Sequence, residues 1–140
     1  MYYVNVEQIE KRLNYTPDLI QMAEQLGAVS SFDPIHTFAM ERVLHLAIEI
    51  VTDVGSYLID GFIMRDASSY EDIIKILGEE HVFPDRLNQP LLDLVKLRKP
   101  LVQQYYQLDK TALRQLLAHL PDVLQLFSDS VHSYLRKEGG

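Results

Sequence analysis

Cysteine is absent from the 140 residues, which excludes disulfides and thiolate metal sites. No apolar run approaches the roughly 20 residues needed to cross a bilayer. Basic residues are in deficit: 13 Lys and Arg face 20 Asp and Glu, giving a net charge of −7. A binder that gains affinity by displacing phosphate counterions over a broad surface should be basic, so that class is disfavoured, as is polybasic membrane docking. A small basic cleft remains open, and Arg98-Lys99 is its one candidate. There is no glycine-rich phosphate loop and no zinc-protease motif. Met1-Tyr2-Tyr3-Val4-Asn5 lacks the basic start and apolar stretch of a secretory signal, so a cytoplasmic location is expected. What is present is the composition of a globular chain, 47% hydrophobic and 24% charged, in the size range of one domain. Residues 1–140 are therefore read as one domain.

Apolar residues recur at helical spacing almost throughout, with no strong alternating strand pattern. A first helix is expected over about 5–27, where Ile9, Leu13, Thr16, Ile20, Ala23 and Leu26 keep register, Gly27 stops the helix, and Pro17 bends it or breaks it after Thr16. The second starts at Asp33, a good N-cap, with Pro34 in the first turn. Ala39, Val43, Leu46, Ile50, Val54, Tyr57 and Leu58 carry it to about Met64. A third follows Ser69, with Asp72 in a near capping box, and ends near Glu80. A fourth helical stretch opens at Pro84 and Asp85. It is interrupted at Pro90 and Pro100 and has Leu91, Leu94, Val95, Leu101, Val102 and Tyr105 on its apolar side. The last is capped by Asp109 and runs to the terminal glycines, with a kink expected at Pro121. Five helices with short connections make a bundle.

Two constellations stand out. Arg42, Glu49 and Asp53 lie within about 20° of one line on the second helix, with His45 and Thr52 beside them. They form either a solvated face of i,i+4 pairs or a polar seam that holds a cation or an arginine. His45 either sits in solvent or reaches a cleft lined by Arg42 and Glu49. The second constellation is Arg98, which the helical pattern places on the apolar side with Leu94, Leu101, Val102 and Tyr105. A guanidinium there needs a carboxylate or a phosphate. An internal salt bridge to Glu49 or Asp53 would satisfy it, and so would an anionic ligand. The phenol of Tyr105 packs in the core with a bonded hydroxyl or is available for chemistry.

The stretch Leu97-Arg98-Lys99-Pro100-Leu101-Val102-Gln103-Gln104-Tyr105-Tyr106 resembles the HepT-like branch of the HEPN superfamily. Those proteins are helical RNases of prokaryotic toxin–antitoxin modules, and their signature is an arginine, four residues, a histidine, one residue and a tyrosine. Here the positions are Arg98, Gln103 and Tyr105. Phe38-Ala39-Met40-Glu41-Arg42-Val43-Leu44-His45-Leu46-Ala47-Ile48-Glu49-Ile50-Val51-Thr52-Asp53 resembles the family's long second helix, and the short third helix and the last amphipathic helix also fit. The likeness covers nearly the whole chain.

The resemblance implies an all-α, up-and-down antiparallel five-helix bundle of HEPN type. It also implies a homodimer in which facing motifs form a composite cleft for RNA, with no metal, cofactor, membrane or DNA partner. Arg98 would stabilise charge on the scissile phosphate, and the residue at 103 would move protons during attack by the ribose 2′-hydroxyl. Arg42, Glu49, Asp53 and Lys99 would line the cleft. A partner nucleotidyltransferase antitoxin would place AMP on Tyr105. The sequence departs from the pattern at the decisive position, because the Gln103 amide cannot titrate near neutral pH. Loss of a positioned acid–base group costs about 10²–10⁴-fold in rate. The resemblance therefore implies a weakened or inactive RNA endonuclease. The alternative is a non-catalytic dimeric module that binds a protein partner or a nucleotide in the degenerate cleft.

Overall fold

The computed structural model describes residues 2–139, and these are helical with no strand among them. The helices are α1 (Val6–Leu13), α2 (Thr16–Gly27), α3 (Pro34–Gly61), α4 (Tyr70–Glu79), α5 (Asn88–Lys96), α6 (Arg98–Gln103) and α7 (Lys110–Glu138), with 3₁₀ turns at Asp85–Leu87 and Tyr105–Gln107. They correspond to the five expected limbs, two of which are divided.

Both divisions have a proline cause, though not at the expected place. The first limb breaks at Asn14-Tyr15, and Pro17 falls in the first turn of α2, where its missing N–H has no partner to lose. Pro90 likewise lies in the first turn of α5 and interrupts nothing. The fourth limb divides at Leu97, ahead of Pro100. A proline ring clashes with the carbonyl four residues earlier and removes a bond to it, so the chain turns before the ring instead of at it. α3 stops at Gly61, short of Met64, because Ile63 takes a left-handed conformation with φ 53°. α7 runs unbroken across Pro121.

The caps read from sequence are formed. Asp33 accepts from His36 N at 2.9 Å while His36 Nδ1 accepts from Asp33 N at 3.4 Å. Asp109 accepts from Ala112 N at 3.2 Å, and Ser69 from Asp72 N at 3.0 Å. Asp72 does not close a box onto Ser69. Its Oδ2 accepts instead from Ser68 N at 3.0 Å and Ser68 Oγ at 3.1 Å.

The core is organised around α3. Met40, Leu44, Ala47, Ile48, Val51, Val54 and Leu58 are wholly enclosed along it. α1, α2, α4 and α7 each pack on α3, and α2 also lies along α7. Gly55 lets α4 come close, because a Cβ there would collide with Ile73 Cγ2 and press on Leu77 Cδ1 at 3.2 Å. The loop between α3 and α4 is pinned by Arg65. Its fork donates to Asp72 Oδ1 and Oδ2, both at 2.9 Å, and to Glu79 Oε1 and Oε2 at 2.9 and 3.0 Å. No helix among the described residues is long and apolar enough to cross a membrane.

Two outcomes follow from this packing. Gly55→Ala should destabilise the chain by about 1–3 kcal/mol, the usual cost of overfilling a tight contact, read as a lower denaturant midpoint with unchanged slope. The Arg65 guanidinium and the Ser68 N–H hold the Asp72 carboxyl well below the usual carboxylate range, and Arg65 lowers Glu79 in the same direction. A depressed folded pKa stabilises above the unfolded value of about 4 and loses that contribution as acid titrates the folded carboxyl. Stability should therefore fall from about pH 4 downward, and Asp72→Asn should flatten that acid limb in a pH series of urea unfolding curves.

Candidate functional site around Arg98

Arg98 is the first residue of α6 and is turned toward α3. Its side chain is 27% exposed, and Nε donates to Glu49 Oε1 at 3.3 Å. Glu49 is thus the partner; of the two carboxylates considered, Asp53 is not. The guanidinium also lies over the Tyr70 ring, Cζ standing 4.0 Å from the centroid, a cation–π contact of about 0.5–1 kcal/mol at such a site. Carboxylate and ring hold the group in place while its Nη1 and Nη2 donate to no described residue. A guanidinium so placed is a fixed fork with donors to spare, the geometry that suits a phosphate oxygen pair.

Asp53 belongs to a different pair. Its Oδ2 accepts from Arg12 Nε at 3.1 Å, while Arg12 Nη1 donates to Gln8 Oε1 at 2.7 Å and Cζ stands 5.1 Å from the Tyr57 ring. The acidic seam of α3 is therefore split between two arginines from two helices. Helix spacing exposes the carboxylates of α3 as a stripe, but it does not show that Arg12, 41 residues away, would take one of them. Arg12, Tyr57 and Tyr70 were not among the sequence candidates, and no local signal marks them.

His45 faces the same carboxylate as Arg98. Its Nε2 is 3.5 Å from Glu49 Oε1, and the ring is half-buried. Arg42 and Lys99 are exposed and make no ion pair or hydrogen bond among the described residues.

The structure corrects the apolar reading of residues 101–105. Leu101 is half-buried, but Val102, Gln103 and Tyr105 face outward, Tyr105 at 66% exposure. The physical reason is that α6 ends at Gln103 and the chain leaves the helix at Gln104, so the stripe does not continue into the core. Core packing of the Tyr105 phenol is thereby excluded. The ring touches Tyr106 edge-on instead, at 5.6 Å between centroids. Gln103 and Tyr105 make no hydrogen bond to Arg98 within the chain. Clefts of about 750 and 350 Å³ lie between the α4–α5 turn and the end of α7, and between α5 and α7, and neither is lined by Arg98.

The Ribonuclease HepT-like family model matches residues 6–131. The chain belongs to the HepT-like ribonuclease family. Its HepT-like relatives include the Bacillus subtilis (strain 168) protein named "Putative RNase YutE", 38% identical over all of this chain and 96% of the relative. The solved structure of Bacillus subtilis YutE, described as a cytosolic protein of unknown function, superposes with a TM-score of 0.88 at 37% identity over 99% of this chain and 95% of that one. A tri-AMPylated Shewanella oneidensis HEPN toxin, solved in complex with MNT antitoxin, shares the fold. Its TM-score is 0.80 at 19% identity, over 89% of this chain and 96% of that one. A toxin–antitoxin crystal structure with AMP-PNP matches with a TM-score of 0.81 at 16% identity, over 89% of this chain and 97% of that one.

The split of the HepT-like seam is measurable. In double-mutant cycles of unfolding free energy, Arg98→Ala with Glu49→Gln should couple by about 0.5–1 kcal/mol, as partly exposed pairs do. Arg98→Ala with Asp53→Asn should show no coupling.

Proposed function

We propose that the chain is the RNA endonuclease toxin of a toxin–antitoxin module, weakened because Gln103 stands where the family motif has histidine. The observation that carries this is the Arg98 guanidinium, braced by Glu49 and Tyr70 with both Nη groups unspent. Such a group is preorganised for charge that builds on a phosphate during attack by the ribose 2′-hydroxyl. Gln103 can orient a hydroxyl or a water but cannot accept and return a proton.

The working unit is a homodimer. Ile35 and Phe38, 76% and 70% exposed, fall with Arg42, Glu49 and Asp53 within about 60° of one line on α3. Apolar side chains left in water beside a charged seam favour a second copy that covers the former and completes the latter. Lys99 and Arg42, both exposed, would extend the cationic rim of such a shared cleft for RNA.

The regulatory partner is a nucleotidyltransferase antitoxin. The toxin of the same fold named with MNT antitoxin carries AMP groups, and Tyr105 presents an exposed phenol at the motif's tyrosine position. A phenol in water is reachable by a partner's active site, whereas a core phenol is not. The cytoplasm is the compartment this reading expects. A second reading, a dimeric module that binds a protein or a nucleotide without cleaving RNA, is favoured by one observation: the residue at 103 is an amide.

Incubating the full chain with single-stranded and structured RNA separates the two. Native protein should cleave slowly, Arg98→Ala should abolish cleavage, and Gln103→His should raise the rate by about 10²-fold or more, the typical worth of a positioned acid–base group. Light scattering on the same samples should give a dimer mass. No cleavage by either native or Gln103→His protein would establish the non-catalytic reading.

A further inference from the structure

Glu49 Oε1 is shared by two cation-forming groups, Arg98 Nε at 3.3 Å and His45 Nε2 at 3.5 Å. Because both nitrogens stand on one oxygen, they lie within about 7 Å of each other, close enough for a single phosphodiester to touch both side chains. A carboxylate only accepts, so its proximity favours the tautomer with the proton on the facing nitrogen, without a hydrogen bond between the two. Nδ1 is left with the lone pair, and it is bonded to no described residue. An imidazole with a carboxylate beside one nitrogen and the other nitrogen unbonded has the components of a general base. Histidine is also the side chain whose ordinary titration falls between about pH 5 and 8.

We propose that His45 is a catalytic residue of the Arg98 site and performs the proton transfer that Gln103 cannot. The assignment rests on the ribonuclease reading above and adds its acid–base group. Nδ1 takes the proton from the ribose 2′-hydroxyl as the bond from the 2′ oxygen to phosphorus forms. The bond from phosphorus to the 5′ oxygen breaks, and the imidazolium returns the proton to that oxygen. The products are a 2′,3′-cyclic phosphate and a 5′-hydroxyl, and the chain ends as it began. Glu49 is a positioning residue, standing beside the imidazole on one side and holding the guanidinium on the other. Of the other histidines, His36 caps α3, His132 pairs with Glu10, and His81 and His119 line clefts that Arg98 does not reach.

The test is the pH dependence of single-stranded RNA cleavage by the full chain, with RNA binding and thermal unfolding measured on the same samples. The charged groups around His45 are Glu49 and Arg98 on one side and Glu41 and Arg42 one turn earlier on α3. The native rate should rise through an imidazole titration and then level. His45→Asn should lose that limb and at least about 10²-fold in rate, with RNA binding within a few-fold of native. His119→Asn, an exposed site on α7, should leave the profile unchanged. Glu49→Gln should lower the maximal rate with RNA binding within a few-fold of native, because the imidazole and the guanidinium both lose the carboxylate they share. That loss tests the assignment even if the asparagine loosens α3.

A native profile preserved in His45→Asn, while Arg98→Ala abolishes cleavage, overturns the role of His45 and leaves the ribonuclease reading standing. A maximal rate equal to native in Glu49→Gln overturns it as well. Native protein that cleaves no RNA at any pH while Gln103→His does overturns the role of His45 alone, and cleavage by neither removes both.

Discussion

The structure turns on a conflict within α3. This 28-residue helix is surrounded by α1, α2, α4 and α7, and most of its length is core. Yet it carries Glu49 and Asp53 on one stripe, where neither can be left uncompensated without losing solvation. Each carboxylate is therefore matched by a guanidinium from another helix, Arg98 on α6 and Arg12 on α1. Both pairs stay partly wet, which keeps the desolvation penalty small and the gain modest. Each ties one helix to the central one, Arg98 joining α6 to α3 and Arg12 joining α1 to α3.

That division explains why parts of the molecule were legible in the sequence and others were not. Asp33, Ser69 and Asp109 cap their helices through bonds three residues long, and such local rules survive folding. Arg98 was legible as a cation on an apolar stripe, and helical spacing narrowed its partner to two carboxylates. The choice of Glu49, 49 residues away, depended on how α6 crosses α3, which no local pattern encodes. Arg65 and its two carboxylates escaped notice for the same reason, since a loop arginine has no periodicity. Tyr105 was misplaced because the helical register was extended past Gln103, where α6 ends. The five-position step from Arg98 to Gln103 turns about 140° around a helix, so these two motif residues do not share one face within a single chain.

Family membership and residue chemistry therefore answer different questions. Likeness over nearly the whole chain establishes the HepT-like family and its helical fold, whereas a rate depends on a few atoms. A glutamine at the motif position leaves the fold intact and removes one titratable group. A braced arginine with unused donors remains, and beside it an imidazole on the same carboxylate oxygen. An electrostatic site can keep part of its transition-state stabilisation when its acid–base group is displaced, because the two contributions are separable.

The net charge of −7 sharpens the argument. A chain so acidic cannot hold RNA by a broad counterion-release surface, so any RNA it engages must be held by a few cations in the right place. In one copy those are Arg98, with its Nη groups free, and the exposed Arg42 and Lys99. Three cations are too few for tight binding. A second copy laid across the Ile35 and Phe38 end of α3 would double them while removing apolar surface from water. The surplus of acid elsewhere would then confine any RNA to such a shared cleft and repel nucleic acid from the rest of the surface.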